Sequence, residues 1–209
     1  MSQKNQDLWA KTILEDEFND VSQNKRRGDR TVSGASALKV LEDLGSFGGF
    51  SLDVGCGHGT DRFDYLLDPS PKRAKPNPKV RQGWLEDLPF ENDRLGYILC
   101  WGTFCFVRSQ VDSMMEINRC LKVGGVLIFD IVTYTTMPLA QTQNRESFLR
   151  WCCLFGFEVQ GWCNFGNPWH QRTGIRLIKT RPFDARHFRM VQAQGKINNK
   201  LDSRDWYLE

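Results

Sequence analysis

Two hydrophobic rhythms divide the chain. Residues 7–21, DLWAKTILEDEFNDV, place Trp9, Ile13, Leu14, Phe18 and Val21 on one side at helical spacing. A polar, basic stretch, SQNKRRGDRT, follows as a loop. A second helix is predicted over 34–44, with Ala37, Leu38, Leu41 and Leu44 inward, Ser33 as N-cap and Gly45 as stop. From Phe50 the rhythm shortens to apolar runs of strand length. Strands are predicted at 50–54, 64–68, 79–84, 96–101, 126–132, 157–163 and 174–180. Between them, 109–121 reads as a helix capped by Ser109 and stopped by Gly124-Gly125. Residues 145–154 read as another, ending at Gly156. The polar stretch 181–209 carries no periodicity that assigns it, and no internal repeat is present.

Strands alternating with helices imply an α/β fold, a Rossmann-like, doubly wound and mostly parallel seven-stranded sheet with helices on both faces. The last two strands lie close enough to pair antiparallel. Two crossovers are irregular. About ten residues separate strands one and two, near the minimum for a parallel connection. The next connection, PSPKRAKPNP, is rich in proline, which costs about 3 kcal/mol inside a helix, so it is expected to be a loop. The expected organisation is N-terminal helices over 1–48, able to form a lid, a main domain over 49–182 and a tail over 183–209.

The first strand runs into SLDVGCGHGTD, with Gly55, Gly57 and Gly59 at alternating positions. Glycine permits positive φ and lets a ligand approach the main chain with no Cβ between. In an open parallel sheet, such a turn sits where ligands bind. A dinucleotide fold spaces its glycines G-x-G-x-x-G, and this spacing is G-x-G-x-G. Asp53 precedes the first glycine by two. A carboxylate there repels a pyrophosphate and attracts an ammonium group, which suits a ligand with an amino-acid portion.

Composition narrows the setting. A hydrophobic content of 40% excludes general disorder, and a net charge of +3 is too mild to argue for nucleic acid. No apolar run reaches membrane-spanning length, and the N-terminus lacks a signal-peptide core, so no membrane association is expected. Cysteines 56, 100, 105, 120, 152, 153 and 163 include no CxxC pair, so no metal site is expected. Their odd number fits a reducing compartment, and the expected location is cytoplasmic. Oligomeric state is not legible.

LDVGCGHG resembles motif I of the class I S-adenosylmethionine-dependent methyltransferases. The resemblance continues through LLDPSPKR, QGWLEDLPFEND, YILCWGTFCFV and INRCLKVGGVLIFDIV, over roughly 50–135, and is nearest to the type 11 group. It implies S-adenosyl-L-methionine as cofactor. Gly55, Cys56 and Gly57 would then pass close to the methionine portion, and Asp53 would serve its amino group. Asp68 would accept from the ribose hydroxyls. Pro69, Trp84 and Leu85 would flank the adenine, with Glu86 or Asp87 near its exocyclic amine. Cys100, Trp101 and Gly102 would lie near the transferred methyl. The chain departs from the family in having Trp84 where an acid is common, Gly96 where an aspartate commonly precedes strand four, and Val123 in place of a proline.

The implied activity is methyl transfer to a small-molecule acceptor by in-line displacement, with alignment and a dry cavity supplied by the protein. A hydroxyl acceptor benefits from a general base, and a thiol, amine or enolate needs none. His170, Tyr134 and His58 are the weak catalytic candidates. Cys105 lies in an apolar context with no adjacent base, where a thiol is inert. Lys25, Arg26, Arg27 and Arg30 would favour an acidic substrate if 24–30 closed over the site. Phe104, Phe106, Trp162, Phe165 and Trp169 either line an apolar pocket or form core. The rival readings are a non-catalytic methyltransferase-like module that binds a protein, and an RNA or protein methyltransferase.

Overall fold

In the computed structural model, which describes residues 34–57, 62–69, 77–135, 143–167 and 169–193, the strand runs pair into one seven-stranded sheet. The strands are β1 (Phe50–Val54), β2 (Tyr65–Asp68), β3 (Val80–Gln82), β4 (Leu95–Cys100), β5 (Leu121–Thr135), β6 (Phe157–Asn167) and β7 (His170–Lys179). Their order is β3-β2-β1-β4-β5-β7-β6. The first five are parallel, and β7 runs antiparallel to both β5 and β6. Strand order reverses between β1 and β4, which places a crevice at their carboxyl ends.

The alternation of side chains across the sheet sorts the core into two faces. On the larger face, Leu52, Val54, Ile98, Cys100, Leu127, Phe129, Ile175 and Leu177 pack together. They meet α2 (Gln110–Cys120) through Met114 and Ile117, and α3 (Arg145–Leu154) through Phe148 and Trp151. Phe188 of α4 (Ala185–Ala193) joins this face by packing on Phe155 and Phe183. On the other face, Leu66, Tyr97, Leu99, Val126 and Ile128 meet Leu41 of α1 (Gly34–Glu42) and Phe63.

Local chemistry sets the helix limits. Ser109 Oγ accepts from Asp112 N at 3.2 Å and starts α2; Asn144 Oδ1 accepts from Ser147 N at 3.0 Å and starts α3. Several expectations change. Helix α2 ends at Cys120, not at the double glycine, because Leu121 already pairs with Leu95; Gly124 and Gly125 belong to an irregularity in the β4–β5 ladder. Helix α1 ends at Glu42, so Leu44 lies beyond it and is exposed. The region after 181 is not featureless, since it contains α4. Gly96 lies within β4, and a Cβ there would stand 1.7 Å from Gly48 O, so the chain entering β1 crosses where an aspartate would collide. The described residues of the first crossover, Gly55–Gly57 and Arg62–Asp64, form turns and bends with no helix. The expected helix over 7–21, the basic run 24–30, Ser33, His58, Gly59, residues 70–76 of the proline-rich crossover and the end of the chain from 194 lie outside the described residues.

Lys179 shows how the sheet is fastened to α2. It is buried in β7, and its Nζ donates to Asn118 O at 2.7 Å, Leu121 O at 2.6 Å and Asp93 Oδ1 at 2.8 Å. A cation at a helix C-terminus satisfies carbonyls that the helix leaves unbonded. Lys179→Met strands two buried carbonyls and is expected to lower stability by about 2–6 kcal/mol, at roughly 1–3 each. Urea unfolding of the two chains at pH 7 measures the difference.

Candidate active site

The glycine turn begins where β1 ends. Gly55 N and Cys56 N both donate to Leu67 O, at 2.8 and 3.2 Å, so the turn folds back over β2. Gly55 has φ +70°, and a Cβ on it would stand 1.9 Å from Thr103 Oγ1. Gly57 has φ +54°, and its Cβ direction meets nothing within 4 Å. The two glycines therefore serve different ends. Gly55 lets the turn press against the loop after β4, and Gly57 leaves space beside the main chain that none of the described residues fills. Gly57 N donates to Asp68 Oδ2 at 2.9 Å, which ties the turn to the end of β2.

Asp53 is the electrostatic centre of this end. It is 8% exposed, and its carboxylate accepts no hydrogen bond among the described residues. Burial pushes its pKa up to about 7; the Arg62 cation opposes this, while the carboxylates of Asp68 and Glu42 add to it. Arg62 is itself held by Glu42 through a two-pronged contact at 2.7 and 3.1 Å. Beside the turn, burial and the charges of Asp53 and Asp68 raise the Cys56 thiol to about 12, so it is no nucleophile at neutral pH.

The opposite wall is the loop after β4. Gly102 N donates to Asp130 Oδ1 at 2.6 Å, and Asp130, fully buried in β5, also pairs with Arg172 of β7. Trp101 lies on the thinner face, stacked on Phe165 with ring centroids 5.1 Å apart. Near β3, Gly83 N donates to Asp68 O at 3.2 Å, which brings Trp84 to the end of β2. Trp84 Nε1 is a buried donor with no acceptor among the described residues.

The structure gathers Asp53, Gly55, Cys56, Gly57, Asp68, Pro69, Trp84 and Trp101 around the ends of β1, β2 and β4. It corrects the side-chain roles of three others. Leu85, in the turn after β3, and Cys100, at the end of β4, are both buried in the larger core. Glu86 accepts from Arg108 N at 2.6 Å and Ser109 N at 3.4 Å, so it fastens the approach to α2 instead of facing a ligand. Tyr134 lies within β5, not after it, and is 47% exposed. His170 begins β7 and is no loop residue; its Nδ1 lies 2.7 Å from Thr135 Oγ1. Cys100 pairs with Phe129, and β5 continues from there to Thr135. At about 3.3 Å per residue, this sets Tyr134 and His170 roughly 20 Å along the sheet from the end of β4.

Sequence reasoning passed over Thr103, Asp130 and Arg172. Asp130 did leave a signal. An acid inside VLIFDIV, an otherwise apolar strand, must be buried and must have a partner.

Residues 52–129 match the family model of a methyltransferase domain, type 11. Over these residues the chain is similar to that family, and its seven-stranded sheet has the Rossmann-like, doubly wound methyltransferase fold. No curated protein matches it. The methyltransferase fold is shared with a Thermotoga maritima protein described as an S-adenosylmethionine-dependent methyltransferase and possible histamine N-methyltransferase. That match has a TM-score of 0.57 at 21% identity and covers 70% of this chain and 88% of that one. Geranyl diphosphate C-methyltransferase from Streptomyces coelicolor has a TM-score of 0.53 at 16% identity over 70% of this chain and 79% of that one. The residues present fit the methyltransferase cofactor. A buried carboxylate with no donor among the described residues suits an ammonium, the Cβ direction of Gly57 meets none of them within 4 Å, and the Trp84 indole offers a donor to a heterocycle.

Gly55→Ala is expected to destabilise the protein by about 2–4 kcal/mol, through overpacking against Thr103 and a left-handed backbone. Gly57→Ala should cost only about 1–2 kcal/mol, from the backbone alone. Thermal and urea unfolding compare the two. Asp53 gives a pH signature. Because its folded pKa lies above its unfolded value, its contribution to stability declines as pH rises from about 4 to 7. Ligand-free Asp53→Asn should therefore lack this decline and exceed the parent chain in stability at pH 8, as read by urea midpoints across that range.

Proposed function

We propose that the protein transfers a methyl group to a small-molecule acceptor, with the cofactor held at the Gly55–Gly57 turn. The observation that carries this reading is Asp53, a buried carboxylate with no hydrogen-bond donor among the described residues, close to Gly57, whose Cβ direction meets none of them within 4 Å. Burying an unpaired charge is costly unless a partner arrives, and an ammonium is such a partner. When bound, S-adenosylmethionine supplies a methyl carried on a sulfonium, and in-line attack by the acceptor breaks that bond and returns its electron pair to sulfur.

The chain's own residues then have separable tasks. Asp53 takes the ammonium, and Asp68, already accepting from Gly57 N, takes the ribose hydroxyls. Trp84 and Pro69 bound the adenine. Gly102, anchored by Asp130, fixes the wall against which the acceptor aligns, so positioning supplies much of the rate. Tyr134 and His170 stand too far along the sheet to move a proton at this turn. The seven cysteines are all free thiols, which supports a reducing, cytoplasmic setting. No helix among the described residues is long and apolar enough to cross a membrane.

Calorimetry with S-adenosylhomocysteine tests the site. Saturable binding is expected, and Asp68→Ala should weaken it by about 1–3 kcal/mol, the cost of unsatisfied polar partners. Absence of heat at millimolar ligand would favour a non-catalytic module that binds a protein partner, and unchanged affinity would remove Asp68 from the site.

A further inference from the structure

A second concavity, of about 630 Å³, lies where the ribbon of β5, β7 and β6 runs past the end of β4 and meets the first turn of α3. Its walls are polar, with the amides of Asn144, Asn164 and Asn167 among them. Arg145 and Arg172 are its charged lining residues; among the described residues no carboxylate lines it. Two contacts join this cavity to the loop after β4. Asp130 links Gly102 N to Arg172, and Trp101 stacks on Phe165, which lines the cavity.

The charges decide what such a space accepts. Arg172 is matched by buried Asp130. Arg145 lies with its guanidinium 4.0 Å from the centre of the Trp162 ring, which fixes its direction without neutralising it. Its carboxylate neighbour, Glu146, is 3.8 Å away with a side chain 75% exposed, so solvent screens that pair. The N-terminal turn of α3 adds positive potential on the same side. The cavity thus combines net positive charge, planar N–H donors and amides, and it presents one aromatic ring, Phe165.

We infer that this cavity is the acceptor pocket, and that the acceptor is a polar small molecule bearing an oxyanion, a carboxylate or a phosphate, held by Arg145 with Arg172. This rests on the methyltransferase reading and narrows its substrate class. Arg145 and Arg172 are specificity-determining residues here and take no part in bond breaking. Asp130 is a positioning residue, since it holds the Arg172 guanidinium and the loop after β4 at one fixed spacing.

Ligand-observed NMR on the full chain loaded with S-adenosylhomocysteine tests this, with phenyl phosphate, benzoate and benzylammonium as probes. One or both anions should bind, and benzylammonium should not; whichever anion binds tighter tells phosphate from carboxylate. Arg145→Gln should weaken the anion by about fivefold or more, the loss of one charge-assisted contact, and Arg145→Lys should restore much of it. Affinity for S-adenosylhomocysteine should stay the same in both variants, which shows that the fold is intact. Equal binding of benzylammonium, or anion binding indifferent to Arg145→Gln, would overturn the inference and leave the cofactor reading standing. Anion binding by a chain that does not take S-adenosylhomocysteine would overturn the methyltransferase reading instead.

Discussion

The approach of Gly55 to Thr103 governs this end of the molecule. The Thr103 side chain, on the segment leaving β4, fills the space where a Cβ at Gly55, on the segment leaving β1, would stand. That closeness is possible because neighbouring parallel strands diverge at a switch point, and because a residue without Cβ can turn left-handed there. Everything else follows from it. The turn folds over Leu67 O, Gly57 N reaches Asp68, and Asp53 is closed off from water on the inner side. A side chain at position 55 would move both walls of the crevice.

The same constraint explains why charged groups accumulate here. Asp53, Asp68 and Asp130 are all at most 8% exposed, and each lies at or beside a strand end on the crevice. They differ in how their burial is compensated. Asp130 has a guanidinium and a backbone N–H, and Asp68 has the N–H of Gly57. Asp53 has Arg62 only as a more distant influence, and its raised pKa records the shortfall. Residues whose burial is incompletely compensated concentrate at functional sites, and of the three this one abuts the glycine turn.

Much of this was legible before any coordinates. Alternating runs gave all seven strands and their parallel character, since period-two patterns bounded by turn residues have few other solutions. The N-caps at Ser109 and the stop at Gly156 were local chemistry and could be read locally. The glycine spacing and Asp53 marked the turn that the structure sets at the end of β1. What stayed hidden depended on contacts distant in sequence. Glu86 looked like a ligand residue because its backbone neighbours belong to the site, but its carboxylate is taken by N–H groups of residues 108 and 109. His170 looked like a loop residue because nothing in NFGNPWH indicates that β5 extends to Thr135 and recruits it into the ladder. Gly96 looked like a lost acid, and its reason, the crossing of Gly48, lies almost fifty residues away.

The two faces of the sheet complete the argument. On the larger one, Phe104, Phe129, Phe148, Trp151 and Phe155 form a continuous run of aromatic contacts with centroids 4.5–5.9 Å apart. Phe104 follows Thr103 directly, so this run anchors the crevice wall from behind. The thinner face has fewer buried apolar groups and carries the charged cluster of Glu42, Arg62 and Asp53. A well-packed side supplies the stability that lets the other hold a buried carboxylate and two left-handed glycines. The shortened first crossover fits the same division. A full helix there would cover the thinner face with more apolar surface, and in its place Phe47 and Phe63 stack on Tyr97, whose hydroxyl donates to Glu42. The glycine turn is thereby supported by an aromatic and ionic patch, and among the described residues β1, β2 and Thr103 set the positions of Asp53 and Gly57.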